Sequence, residues 1–248
     1  MGRFVEINND GIKTYTLFDK NSIKNVLALQ AKAPIYTFVP EEKSVMKKTF
    51  LDSNNLLASA GIVLYKVVEK NKANFVVERE KYNKDDRKSI IKRDEKIFVQ
   101  DIGIKDSVVD HIFFLSDGIR QMFSTQFYID LDNVLKMVYP TIEITSKKTT
   151  FKILSGKGFK GELVFEDIAI KNNLTKRSAS TYMLTVKQTS KTYDLAEFNE
   201  LIENLEKFCN EAFPTNDSIY EIAERMTKWK ILQLHTTVQQ KATLLKQW

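Results

Sequence analysis

Alternation of apolar and polar positions divides the chain into strands, with helical periodicity confined to a few segments. Residues 12–18 (IKTYTLF) are β-branched and aromatic and predict a strand. Asp19 is placed to cap a helix from about residue 20 to 30, with Ile23, Val26 and Leu27 on one face. Residues 34–39 (PIYTFV) predict a second strand stopped by Pro40, and residues 47–52 a third. The most informative stretch is 49–82, where a strand ending at Asp52 leads into the insert SNNLLASA, then a long strand opening at Gly61. A tight turn at Asn71 and a partner strand to Lys81 complete a hairpin. Ile62 to Val68 is almost continuously apolar, as expected of a strand buried on both faces or lining a closed barrel.

Residues 83–93 are charged and read as a surface loop or short helix before a strand at 96–102. Asp106 is placed to cap an amphipathic helix running to Met122, with His111 among apolar neighbours as a packed or surface residue. A strand fragment at 127–129 and a helical turn at 132–138 follow, then strands at 141–145, 149–154, 162–171 and 181–189. SGKGFKG (155–161) lacks the spacing of a phosphate loop and precedes a strand, so it reads as a hairpin turn. From Asp194 an apolar stripe of Leu195, Phe198, Leu201, Ile202, Leu205 and Phe208 predicts a helix ended before Pro214. A second helix is expected over 218–237, its Glu221 and Glu224 favouring core packing over a membrane or nucleic-acid face.

With 248 residues and 43% hydrophobic content, the chain can bury a large core. The expected organisation is one domain over 1–208 with a helical extension over 209–248 packed on it. The net charge of +6 comes from 38 basic and 32 acidic residues that are interspersed, which describes a mixed surface more than a polyanion-binding face. Cys209 is the one cysteine, read as a small core residue. With only His111 and His235 as histidines, a zinc site of His and Cys has too few ligands. The start MGRFVEINND carries no secretory pattern and no segment is a membrane span, so the expected location is cytoplasmic with no membrane partner.

The strand–helix–strand order followed by TFLDS, LLASAGIVLYKVVEK and ANFVVEREK resembles the CYTH-like superfamily, which includes triphosphate tunnel enzymes, thiamine triphosphatases and class IV adenylate cyclases. Phe50, Asp52, Leu57, Gly61, Leu64 and Arg79 match its phrase in order. Arg93 and Glu95 are similar to its Arg-x-Glu, and Asp167 to its aspartate strand. Lys187, followed by the helix from Asp194, is similar to its last strand and helix. The resemblance implies an α+β fold: a largely antiparallel, barrel-like (tunnel-like) sheet with flanking helices and a C-terminal helical pair.

The resemblance also exposes departures. The family's opening Glu-x-Glu-x-Lys falls on Lys13, Tyr15 and Leu17, and the alternative placement on FVEINND offers only Glu6 and Asp10. Its Leu-Arg-x-Arg strand reads Leu64, Tyr65, Lys66, Val67, and the paired acids of its last strand read Met183 and Thr185. Magnesium and manganese are held through carboxylate oxygens, so loss of both acidic pairs argues against the family's hydrolysis. Arg79, Lys148, Lys152, Lys187 and Arg93 are the candidate anion-binding cations, and Glu95 and Asp167 the weak candidate metal ligands. The expected function is a non-catalytic binding or interaction protein that retains an anion site for a nucleotide or polyphosphate, or that meets another protein. The alternatives are a metal-dependent phosphohydrolase or nucleotidyl-transfer enzyme, with magnesium or manganese and Glu78, Arg79, Glu80 and Lys81 at its site, and, least favoured, a nucleic-acid-binding protein.

Overall fold

A computed structural model describes residues 11–33, 35–81, 92–114, 120–121, 124–125, 130–189, 195–209 and 212–228. The strands are β1 (Ile12–Leu17), β2 (Tyr36–Asp52), β3 (Ile62–Glu69), β4 (Lys72–Lys81), β5 (Lys92–Ile102), β6 (Tyr139–Ser155), β7 (Lys160–Asn172), β8 (Arg177–Gln188) and β9 (Ala212–Pro214). The helices are α1 (Ser22–Leu27), α2 (Leu29–Lys32), α3 (Leu56–Ser59), α4 (Leu131–Lys136), α5 (Leu195–Phe208) and α6 (219–228), with a 3-10 segment at Val108–Phe114. The fold is α+β. The strands pair in the order β5-β4-β3-β2-β6-β7-β8-β1-β9, and every pairing whose register is described is antiparallel. Among the described residues the order runs open from β5 to β9, so the sheet is not closed into the barrel that the resemblance implies. No helix among the described residues is long and apolar enough to cross a membrane.

The chain forms two compact units. The first comprises 1–45, 146–169 and 179–222. Its core is made by alternate residues of the strands, Tyr15 and Leu17 on β1, Ile153 on β6, Leu163 and Phe165 on β7, Leu184 and Val186 on β8. These pack against Val26 and Leu29 of the short helices and Phe198, Leu201 and Leu205 of α5. The α5 stripe therefore packs as its spacing requires, and Cys209, 3% exposed, fills the same core. Asp19 accepts from the backbone N–H of Asn21 (2.7 Å) and Ser22 (3.0 Å) just before α1, but the N-cap position is Asn21, and the single helix expected over 20–30 is divided into α1 and α2. The SGKGFKG turn is a hairpin: Ser155 N–H donates to the Phe159 carbonyl at 3.1 Å. A side chain at Gly161 would place its Cβ 2.8 Å from the Lys187 carbonyl, so the close approach there requires glycine.

The second unit comprises 46–145, 170–178 and 223–248. Leu64, Phe75 and Val77 of the β3–β4 hairpin form its core with Leu57, Ile102, Val108, Leu131, Val134 and Leu135. The buried carboxylate of Asp52 accepts from the N–H groups of Ser53 (2.6 Å), Leu57 (2.9 Å) and Ala58 (3.2 Å), which pins α3. Gly61 (φ 67°) then turns the chain into β3, and Lys70 (φ 49°) and Asn71 (φ 63°) form a left-handed hairpin turn.

Three expectations change. Pro40 does not stop a strand, because β2 runs through it; residues 39–43 are exposed, where a missing N–H is tolerated. Residues 141–154 likewise belong to one strand, β6. The helix expected from Asp106 starts instead as a 3-10 segment with a kink at His111 (φ −130°). Asp106 is drawn back to the Gly103 N–H at 2.7 Å and to His111 Nε2 at 3.0 Å, so Ser107 and Asp110 cap the segment instead. The segments expected at 83–91 and 127–129, and the second helix beyond residue 228, lie outside the described residues.

Candidate functional site

The first unit presents one sheet face to the helices and another away from them, and strand parity assigns each side chain. On β6, Phe151 and Ile153 join the helix-covered core, so Lys148, Thr150 and Lys152 alternate onto the opposite face. On β7, Leu163 and Phe165 are in the core, which places Glu162, Val164 and Glu166 opposite. On β8, Leu184 and Val186 are in the core, which places Met183, Thr185 and Lys187 opposite. β1 pairs with β8 so that Ile12 faces Lys187, Thr14 faces Thr185 and Thr16 faces Met183. Two contacts confirm the parity: Thr14 and Thr185 hydroxyls lie 3.4 Å apart, and Ser146 donates to Glu166 at 2.7 Å.

This face gathers Lys148, Lys152 and Lys187, three of the cations singled out in the sequence, on β6 and β8 with β7 between them. Lys148 is half-buried and the other two are exposed. Among the described residues none of the three is in an ion pair. Sequence reasoning missed Glu162 and Glu166, although their alternation with Leu163 and Phe165 in GELVFED carried the signal. Asp167 has the parity of Leu163 and Phe165 and pairs with Lys20 at 3.4 Å, on the side of the helices.

The remaining candidates lie on β4 and β5 of the second unit. Arg79 is in register with Ile62 and Glu95, and Arg93 with Glu80. On the face of β3 away from its core, Tyr65 is 3% exposed and donates to Glu78, itself 8% exposed, at 2.5 Å. The Phe50 ring lies 5.1 Å from that of Tyr65, and Lys48 Nζ sits 5.4 Å from the Tyr65 ring centre. Lys66 points to the other side and donates to the carbonyls of Gly103 (3.2 Å), Ile104 (2.7 Å) and Asp106 (2.6 Å). Burial holds the Lys66 ammonium below its ordinary pKa, against the opposing pull of Asp106 and Asp110.

The resemblance places the opening motif on Lys13, Tyr15 and Leu17. Tyr15 is fully buried against the helices and donates to Glu206 at 3.0 Å; burial first, then Glu206, drives its pKa far up. The positions sharing a face with Lys187 are one residue removed, Ile12, Thr14 and Thr16. Neither set contains a carboxylate.

A divalent magnesium or manganese ion requires converging oxygen ligands. Among the described residues no cluster of three or more His, Cys, Asp or Glu has that arrangement. Glu162 and Glu166 are four residues apart on one strand, about 13 Å, too far for side chains standing off a sheet to share an ion. The described residues therefore do not fit such a metal.

No family model matches the chain, and no curated protein does. Solved structures are similar to it at low identity. One, from Hippeastrum, is described as a candidate adenylyl cyclase with a dominant triphosphatase activity: 12% identity over 87% of this chain and 95% of that one, TM-score 0.49. A second, a candidate adenylate cyclase from Bacillus halodurans, shares 12% identity over 86% of this chain and 96% of that one, TM-score 0.46. A third, from Pyrococcus horikoshii, shares 14% identity over 85% and 97%, TM-score 0.40.

Proposed function

We propose that the chain is a non-catalytic binding protein that takes a phosphorylated anion, a nucleotide or a polyphosphate, on the β6–β7–β8 face of its first unit. One observation carries this reading: Lys148, Lys152 and Lys187 share a face without an ion-pair partner among the described residues. A lysine ammonium offers three donors and a compact charge, and several lysines can neutralise successive phosphates of an extended anion. Thr14 and Thr185 add hydroxyl donors beside them. The acids that the resemblance expects in the last strand fall on Met183 and Thr185, and the two carboxylates on this face, Glu162 and Glu166, stand about 13 Å apart along β7, too far to share the metal that phosphoryl transfer needs.

The test is a calorimetric titration of sodium tripolyphosphate into the full chain, together with a phosphate-release assay in manganese. Saturable binding without release is expected. Binding equally strong in a Lys148→Ala/Lys152→Ala/Lys187→Ala variant would refute the assignment of the face.

The enzyme reading keeps one supporting observation: two carboxylates, Glu162 and Glu166, share the lysine face. Manganese-dependent release of phosphate, lost in a Glu162→Gln/Glu166→Gln variant, would establish that reading in place of the first.

A further inference from the structure

Backbone anchors fix how the strands of the lysine face line up. Ser155 N–H donates to the Phe159 carbonyl at 3.1 Å where β6 turns into β7, and Thr189 N–H donates to the Lys160 carbonyl at 2.9 Å where β8 ends beside the start of β7. The Lys187 carbonyl also lies against Gly161, 2.8 Å from where a Cβ would stand. Counted along antiparallel strands from these anchors, Lys152 of β6 and Lys187 of β8 fall on either side of Glu162 of β7, all three on the face away from the helices. Further along β7 the surroundings change. Glu166 has Lys148 on its β6 side and Met183, 5% exposed, on its β8 side, and it already accepts from buried Ser146 at 2.7 Å.

Glu162 is half-buried and both of its lysine neighbours are exposed, so an anion reaches this row from solvent. Among the described residues neither lysine closes to ion-pair distance of Glu162. The stems of Lys152 and Lys187 leave the sheet about 10 Å apart, two strand spacings, with the shorter glutamate between them. A single phosphate that engages both ammonium groups must therefore lie over the carboxylate, and one that takes a single lysine gains one attraction. Repulsion falls with separation, so an extended anion fares better: its ends meet the two lysines on the outer sides of Glu162, or run on towards Lys148.

We propose that Glu162 is a specificity-determining residue of this face, whose carboxylate between Lys152 and Lys187 turns away single phosphates and admits chain-like polyanions. The selection comes from a repulsive element set among attractive ones, which separates ligands that contacts alone would treat alike. The inference rests on the reading of this face as an anion site and names which anions it accepts. Glu166 has no such part, because Ser146 holds its carboxylate and only one lysine adjoins it.

The test is a ladder of inorganic phosphate, pyrophosphate and tripolyphosphate, titrated without divalent metal and at constant ionic strength into the full chain and into Glu162→Gln. In the parent, affinity should rise steeply with length. Glu162→Gln should tighten phosphate about tenfold and tripolyphosphate less than threefold, which flattens the ladder, while the urea midpoint stays in place. Glu166→Gln should leave the ladder steep. A gain equal at every length, or no gain, would overturn the proposal, and the anion site itself would still stand if the lysine-triple variant lost tripolyphosphate. No saturable binding of tripolyphosphate to the parent would overturn both.

Discussion

The β3–β4 hairpin and the β6–β7–β8 face treat their polar groups in opposite ways. In the hairpin, buried polarity is matched internally: Tyr65 donates to Glu78, and Lys66 spends its donors on three carbonyls. On the β6–β7–β8 face, Lys148, Lys152 and Lys187 stand without ion-pair partners among the described residues. Matched polar groups specify a fold, whereas unmatched charges held at fixed spacing suit a ligand. The contrast teaches that the stretch which best announces the fold need not be the one that binds.

The comparison breaks first on stability. Tyr65→Phe removes the phenol donor to the buried Glu78 carboxyl and should cost about 2 kcal/mol, read as a lower urea midpoint. The lysine-triple variant should change stability by only about 0.5 kcal/mol yet weaken tripolyphosphate binding roughly 100-fold. If Tyr65→Phe were neutral and the lysine variant unfolded, the two regions would have exchanged roles.

A smaller effect concerns Lys66. Lys66→Met removes donors from three loop carbonyls and should cost about 1 kcal/mol, accompanied by faster amide exchange over 103–107.

The last expectation is acid sensitivity. The Asn173 hydrogen bond, aided by Lys47 and Lys171, holds the Glu143 carboxyl below its ordinary 4.5 despite partial burial. Hydrogen bonds from His111 and then Gly103 hold Asp106 below 3.8. Because the folded pKa lies under the unfolded one, each group contributes stability above its unfolded value, and that contribution is lost as pH falls through the folded value. Stability should therefore decline below about pH 4.5, and Glu143→Gln should flatten the upper part of that decline in a pH series of urea melts.

Local signals explain what was legible. Asn71 in a two-residue turn, Gly61 at positive φ and continuous apolar runs identify the hairpin, and the stripe from Leu195 identifies α5. The long strands β2 and β6 were read in pieces, since exposed polar residues such as Glu41, Glu42 and Lys147 resemble loop when pairing partners are unknown. Which face of β1 is covered depends on the docking of α1, α2 and α5, so Tyr15 went to the core while Thr14 and Thr16 went opposite. Lys148, Lys152 and Lys187 were recognisable as candidates from alternation. Their lack of ion-pair partners among the described residues was not, because it depends on where every neighbouring carboxylate settles. Asp167 illustrates the same limit, as a residue that resembled a metal ligand and pairs with Lys20.

The most direct test of the account is one titration: sodium tripolyphosphate into the full chain with manganese present, compared with the lysine-triple variant. The account predicts a saturable isotherm for the parent, its weakening by roughly 100-fold in the variant, and no continuing heat of hydrolysis after saturation. Superimposable isotherms, or sustained hydrolysis that the variant abolishes, would contradict it.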